Sequence, residues 1–321
     1  TGAMPVILNA LDAPRTLKFA ARFLVWPFQF LGRRGDQSLP PAPRALTAMG
    51  PAYIKFGQIL STRPDVVGPE LAEQLRVLQD RLPPFSTDVA KQSFKLEIGL
   101  DADDVFSDFS EPVAAASIAQ VHRGELKDTG QSVAIKVLRP EIERAFQKDL
   151  DTFYFAARLV ELVSPKSRRL KPMDVIAHFD GVVRGELDLR LESASASEFL
   201  ANIKEDKGFS VPSVNWSLSS RRVMTLDWAD GVPMGDVDAL AAAGHNLSEL
   251  GDRVLHMFLN HALRDGFFHA DMHQGNLKVS SSGDIVAFDF GIMGHIDEYT
   301  RRVYAEILFG FIKRDYKRVA Q

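Results

Sequence analysis

Apolar residues recur at helical spacing through the first part of the chain. Phe19, Phe23, Trp26 and Phe30 fall on one stripe of the segment 15–31, which Pro27 kinks or interrupts. A proline-rich stretch, Pro40 to Pro43, leads into helical patterns over about 46–61 and 69–82, the second closed by Pro83-Pro84. The first 85 residues therefore read as a helical extension. From Pro112 the pattern changes. Residues 118–126, a polar turn at 127–131 and the apolar run 133–138 predict a strand, a turn and a buried strand. Helices are predicted over about 141–163 and 172–203, and a further strand pair over 214–218 and 222–226. The next helix opens at Asn246 with Glu249 completing a capping box, and it carries Leu250, Val254, Phe258 and Ala262 on one stripe. It delivers the chain to Phe268-His269-Ala270-Asp271. Residues 277–279, a turn at 280–284 and residues 285–288 then predict a short hairpin ending at Asp289-Phe290-Gly291.

Composition narrows the chemistry. The 321 residues are 45% hydrophobic and 25% charged, an ordinary globular mixture long enough for about two domains or one bilobal unit. There is no cysteine, so thiolate nucleophiles, zinc–thiolate sites and disulfide frameworks are excluded. Chemistry must come from Asp, Glu, His, Lys, Asn and hydroxyl groups. The longest strongly apolar stretch, 19–31, contains Arg22 and Pro27 and falls short of the ~20 residues a bilayer span needs. Thr1-Gly2-Ala3 before Met4 reads as the remnant of a cleaved tag, and no signal-peptide pattern follows.

Charge is uneven. Residues 1–60 hold seven basic against two acidic side chains, leaving this segment at +5 and the remainder at −9. An anionic partner is expected for the first part only. The aromatic stripe, with Arg15, Lys18, Arg22, Arg33 and Arg34 around it, either packs on the body of the protein or lies in an anionic lipid interface. Lys166, Arg168, Arg169 and Lys171 read as a solvated loop, and nothing points to nucleic acid.

Three elements carry chemistry. Asp271, Asn276 and Asp289 have the spacing D-x4-N-x12-D, with a helix before the first, a hairpin between the last two and Phe-Gly after the last. That is the arrangement of a kinase catalytic loop and its metal-binding aspartate. Mg²⁺ bridging phosphates needs hard oxygen ligands, which Asn276 and Asp289 supply, and Asp271 is placed to orient or deprotonate a nucleophile. The second element is Lys136, in the apolar strand Val133-Ala134-Ile135-Lys136, which needs a carboxylate and an anionic ligand. Glu192 is the expected carboxylate, with Glu186 the alternative. The third is a departure: a kinase glycine-rich loop is replaced by Ala114-Ala115-Ala116-Ser117, which predicts an altered grip on phosphate. Asp227, at the end of the strand 222–226, joins this nucleotide-contacting set with Lys136.

Taken in order, Lys-x-Gly-Gln at 55–58, the alanine-rich loop, Val-Ala-Ile-Lys at 133–136, Glu-x-Asp at 186–188, His-Ala-Asp-x-His-x-Gly-Asn at 269–276 and Asp-Phe-Gly at 289–291 resemble the UbiB family of atypical, protein-kinase-like proteins of ubiquinone (coenzyme Q) biosynthesis. The resemblance spans roughly residues 45–295. It implies an α+β, two-lobed kinase-like fold, with a helical extension over 1–85, an N-lobe with inserted helices over 86–230 and a partial C-lobe over 231–321. It implies ATP/ADP and Mg²⁺ binding, with ATPase activity more readily than protein phosphorylation. Work at a membrane carrying quinone-precursor lipids, on the bacterial cytoplasmic face of the inner membrane and with a ubiquinone-biosynthesis protein complex as partner, is also what the resemblance implies. Lys55, Gln58, Glu186 and Asp188 are by this resemblance internal occupants of the active site that exclude protein substrates. A nucleotide-gated scaffold and a small-molecule kinase are the alternative readings. Where the family usually has Pro before Gly-Asn this chain has Gln274, which frees that loop position. Only 30 residues follow Asp-Phe-Gly, so the C-lobe is expected to be truncated, with room for membrane segments after residue 321.

Overall fold

The computed structural model of the chain describes residues 36–78, 83–163, 168–169 and 171–319. The aromatic stripe from Phe19 to Phe30 and its basic flank lie outside the described residues. In chain order the described helices are α1 (Pro41–Met49), α2 (Pro51–Ser61), α3 (Pro64–Val67), α4 (Pro69–Leu75), α5 (Thr87–Ile98), α6 (Ala102–Val105), α7 (Ile142–Val163), α8 (Pro172–Glu186), α9 (Leu189–Asn202), α10 (Val237–Ala242), α11 (Leu247–Asn260), α12 (Glu298–Lys313) and α13 (Tyr316–Val319). The strands are β1 (Phe106–Ala115), β2 (Ala119–Leu126), β3 (Ser132–Leu138), β4 (Phe209–Ser210), β5 (Val223–Asp227), β6 (Val232–Pro233), β7 (Phe267–His269), β8 (Leu277–Val279), β9 (Ile285–Ala287) and β10 (Met293–His295). They form two compact units that are interleaved in sequence rather than consecutive.

The first unit comprises the described part of Thr1–Ala90, with Pro112–Val121 and Leu138–Leu187. The helical stretch predicted over 46–61 is two helices. Gly50, at φ +131°, ends α1 in a conformation that side chains rarely adopt, and Pro51 starts α2, where its missing N–H costs nothing. Within α2, Gly57 permits close approach: a Cβ there would stand 2.3 Å from Leu78 Cδ1 and 2.7 Å from Leu46 Cδ1. This contact explains the glycine of Lys-x-Gly-Gln as a packing residue. Ile54, Leu71, Leu75 and Leu78 form the core around it. On the other side Phe56 meets Phe153 of α7 and Phe179 of α8, at centroid distances of 4.9 and 5.2 Å. Each such pair contributes about 0.5–1.5 kcal/mol beyond its buried area.

The second unit comprises Lys91–Glu111, His122–Val137 and the described part of Asp188–Gln321. Its main sheet has the order β1-β2-β3-β5, the far ends of β1 and β2 belonging to the first unit. Antiparallel pairing of β3 with β5 sets Lys136 opposite Met224. The helix predicted over 172–203 is broken at Leu187–Asp188, because the Asp188 carboxylate caps α9 by accepting from the Arg190 N–H at 3.2 Å. Residues 214–218 are not a strand. Val214 makes one isolated bridge to Leu226 and Trp216–Leu218 is a 3₁₀ turn, since the Ser219 hydroxyl takes the Asn215 carbonyl and the Thr225 N–H that a ladder would use.

The segment that carries Asp271, Asn276 and Asp289 hangs on two short sheets, β7 with β10 and β4-β9-β8-β6. Helix α11 is capped by the Asn246 side chain, which accepts from Ser248 and Glu249, and it ends in a π turn at His261–Asp265. Gly266, at φ +70°, then turns the chain into β7, and a Cβ there would meet the Ile296 carbonyl at 2.5 Å. Strand β7 pairs with β10, β8 with β9, and β6 with β8. These pairings hold the segment 269–276 between β7 and β8, and Asp289 just after β9.

Three imidazoles are buried in this unit, His122, His261 and His269. Burial pushes all three below the ordinary imidazole range. The native state therefore binds fewer protons than the unfolded chain as pH falls through about 6.5, and stability present above that pH is lost below it. With three groups the slope reaches at most about 4 kcal/mol per pH unit. Thermal unfolding between pH 7.5 and 5.5 should show a midpoint that drops steeply below about 6.5, and a flat profile would contradict this.

Candidate functional site

In the second unit, Lys136 projects from the middle of β3 between buried Ile135 and Val137. Its Nζ donates to both Glu192 oxygens, at 2.7 and 2.8 Å. Glu192 sits in the first turn of α9, so the cap at Asp188 sets the direction from which it reaches the strand. The Asp289 Oδ1 lies 4.0 Å from the same ammonium. Burial pushes the Glu192 carboxyl up, against the pull of Lys136, and the neighbouring Asp289 charge pushes it further. One cation thus stands between a buried and a half-exposed carboxylate. The second acid is kept forward because Phe290 turns the other way: it is buried, 5.5 Å from Phe199 of α9 and 5.8 Å from His269.

The loop 269–276 is fixed by its own polar groups. His269 Nδ1 accepts from the Asp271 N–H at 3.2 Å, and His273 Nδ1 accepts from the Gly275 N–H at 3.0 Å. Asn276 is buried and its Nδ2 donates to the Asp271 carbonyl at 3.1 Å, an arrangement that leaves the amide oxygen as acceptor. The Asp271 carboxylate is half-exposed, with the His273 ring 3.8 Å away. Gln274 opens a single 3₁₀ turn that His273 caps, so the loop closes without proline.

These residues suit a magnesium–phosphate group by their chemistry. A carboxylate and an amide oxygen are hard donors, and Mg²⁺ is commonly held by one or two protein oxygens together with phosphate oxygens. Among the described residues no three His, Asp or Glu side chains gather into a site that could hold a metal by themselves. The pair Asn276 and Asp289 therefore fits a metal brought with phosphate, with Lys136 as the adjacent cation.

The other candidate residues are placed as follows. Lys55 Nζ is 2.7 Å from Glu186 Oε1, both side chains largely buried in the first unit, and Gln58 Nε2 donates to the Leu78 carbonyl at 3.2 Å. Asp188 belongs to the second unit, where Arg190 Nη2 lies 2.6 Å from its carboxylate and holds that carboxyl below its usual range. The Glu-x-Asp pair is thus split between an ion pair with Lys55 and a helix cap. Asp227 accepts from Gln131 Nε2 at 2.7 Å and from the Ser213 N–H at 3.2 Å, contacts that occupy both its oxygens within the protein. In the first unit Ala114 and Ala115 end β1, and the turn through Ala116 and Ser117 closes with an Ala116 N–H to Ala119 carbonyl bond of 2.8 Å. Arg139 donates to the Ala116 carbonyl through Nε at 3.1 Å and Nη2 at 2.9 Å, which pins the turn where glycines would have left it free. The Ser117 hydroxyl is buried without a hydrogen-bond partner among the described residues.

Arg139 and Lys278 are two polar residues of these regions that the sequence reading passed over. Arg139 gave no signal, because its partner is a backbone carbonyl. Lys278 did give one: a lysine between Leu277 and Val279 is the pattern that singled out Lys136.

The description "ABC1 atypical kinase-like domain" matches residues 77–321. The "Probable protein kinase UbiB" of Marinobacter nauticus is 39% identical over 99% of this chain and 58% of its own length. The protein of that name from Klebsiella pneumoniae is 40% identical over 95% of this chain and 57% of its own. The chain thus spans little more than half the length of these relatives. A solved structure described as "The complex structure of Rv3197-erythromycin from Mycobacterium tuberculosis" superimposes with a TM-score of 0.58, at 25% identity, over 84% of this chain and 68% of that one. The fold is kinase-like, and the chain belongs to the UbiB family, with the ABC1 atypical kinase-like domain.

Proposed function

We propose that this chain is a Mg²⁺-dependent nucleotide-binding unit that hydrolyses ATP or transfers its phosphoryl group, in support of ubiquinone biosynthesis at a membrane. The observation that carries the reading is the Lys136 ammonium between Glu192 and Asp289, at 2.7 and 4.0 Å. Lys136 would hold the phosphates, and Glu192 would hold Lys136. Asn276 and Asp289 would hold Mg²⁺, which supplies charge neutralisation on phosphate oxygens when bound. Asp271 would orient the attacking hydroxyl, of water or of a small acceptor, and accept its proton. Its exposure suits that role, since a base must be reached by the group it deprotonates. The name of the relatives supports the link to ubiquinone, and the basic aromatic segment before residue 35 supports a lipid surface as partner.

Asp271→Asn separates catalysis from a purely conformational use of nucleotide. Turnover should fall by about 10²- to 10⁴-fold, the usual worth of a general base, with nucleotide affinity kept. Steady-state hydrolysis assayed with and without anionic vesicles and a quinone-precursor phenol checks it. Turnover unchanged in the variant would remove the base role from Asp271, and negligible wild-type turnover with a variant that still complements would favour the scaffold reading.

A further inference from the structure

Helix α7, in the first unit, has two apolar faces. Phe146, Leu150, Phe153 and Ala157 are buried on one of them, where the Phe153 ring meets Tyr53 and Phe56 of α2 and Phe179 of α8 at centroid distances of 4.6, 4.9 and 5.7 Å. Phe155, Leu159 and Leu162 follow one another at i, i+4 and i+7 on the opposite face, and they are 69%, 49% and 74% exposed. A helix that is apolar on both sides is ordinarily covered on both sides. Scattered exposed apolar residues need no explanation, whereas three in register on one stripe form a contact surface.

Cations border this stripe. Lys148 lies on the same stripe, seven residues before Phe155, and Arg158 flanks it; both are exposed. At the C-terminal end, Arg168 Nε donates to the Glu161 carbonyl at 2.9 Å, which fixes that guanidinium beside the turn carrying Leu162. Arg169 follows it and is also exposed. Taken alone, these basic residues read as a solvated loop, and Lys171 fits that reading, since it pairs with Asp174 at 3.4 Å. What changes the reading of Arg168 and Arg169 is the apolar stripe beside them. The acids nearby hold other donors: Glu161 Oε1 accepts from the Met173 N–H at 3.3 Å, and Asp151 Oδ1 from Gln147 Nε2 at 3.2 Å.

We propose that the outer face of α7, with Arg168 and Arg169 at its end, seats in the interface of an anionic lipid membrane. The inference rests on the reading of this protein as one that works at a membrane, and no part of it depends on the nucleotide site. A lipid interface takes the apolar side chains of one helix face to a depth of about 5–10 Å and places the bordering cations among anionic headgroups. Charge decides against the other apolar segment of this chain as the occupant. Residues 15–31 carry Arg15, Lys18 and Arg22, the same sign as the border of the stripe, so the two repel each other and suit the same anionic surface.

Flotation of the full chain tests the proposal, with vesicles of phosphatidylcholine alone and of an equal mixture with phosphatidylglycerol. Lys148→Glu/Arg169→Glu and Leu159→Glu/Leu162→Glu are compared with the wild type and with a charge-matched control on the second unit, Lys204→Glu/Lys207→Glu; unfolding midpoints and sedimentation are recorded for each. The wild type should float with the mixed vesicles only and be released as salt is raised. Each variant of the face should lower the partition coefficient by about tenfold or more, at an unchanged unfolding midpoint, because all four side chains are exposed. The control should stay within about twofold of wild type. Face variants that also stay within about twofold would overturn the proposal, leaving the membrane contact to the basic segment before residue 35. An equal loss in the control would overturn it as well, by showing an effect of net charge alone. Loss of self-association in Leu159→Glu/Leu162→Glu with vesicle binding unchanged would assign the face to a second copy and overturn it too. A wild type that floats with neither vesicle would overturn the membrane reading itself, and this assignment with it.

Discussion

Asparagine at position 289 should lower Mg²⁺-dependent turnover by on the order of 10³-fold, at least the effect of removing one preorganised electrostatic group from a transition state. The substitution keeps volume and removes charge. The Asp289 Oδ1 accepts from the Gly291 N–H at 3.1 Å, a bond the amide oxygen can keep, and the side chain is half-exposed, so the turn should survive. Lys136 retains Glu192 and remains bonded. The loss should therefore appear in turnover with an unchanged unfolding midpoint, and raising Mg²⁺ should not recover it. Turnover retained in this variant would remove the metal-binding role from Asp289 and leave Asn276 without its partner.

Lys136→Met should act on stability as well as on function. Glu192 is almost wholly removed from solvent, and without the ammonium its carboxylate has lost the partner that offsets its burial. Breaking a buried pair from one side costs about 3–5 kcal/mol, whereas replacing both partners by apolar groups is often neutral. The single variant should thus unfold at clearly lower urea, and the double variant Lys136→Met/Glu192→Leu should regain much of the loss while binding no nucleotide more tightly. The Glu192 carboxyl is raised by burial even in the native pair, so in Lys136→Met the deficit should shrink at acid pH, where the carboxyl is protonated. Additive losses in the double variant would show that the two side chains are not coupled.

What was legible in the sequence follows from which interactions leave a local trace. A lysine inside an apolar run, as at Lys136, announces a buried charge. The Asp271, Asn276 and Asp289 spacing announces a loop and a hairpin, and the structure builds both, with Asn276 bonded to the Asp271 backbone. The break between α8 and α9 left no such trace. Apolar spacing runs through it, and only the use of Asp188 as a cap, paired with Arg190, stops the helix. Strand β1 was also hidden, because most of its residues are exposed or half-exposed and its alternation is weak. The alanine-rich turn showed its missing glycines but not its brace, since Arg139 reaches Ala116 through a backbone carbonyl that any residue could have supplied. Gly57 was visible as part of a motif, whereas its reason, contact with Leu46 and Leu78, required the packed helices.

Lys136, Glu192, Asn276 and Asp289 are proposed to bind a nucleotide together, through a magnesium ion. Calorimetric titration of nucleotide into the wild-type chain and into Asp289→Asn, each in Mg²⁺ and in EDTA, tests it most directly. The wild type should bind at least about tenfold more tightly with Mg²⁺, and the variant should show one weak affinity in both conditions. A wild type indifferent to Mg²⁺, or a variant that keeps the wild-type response, would contradict the account.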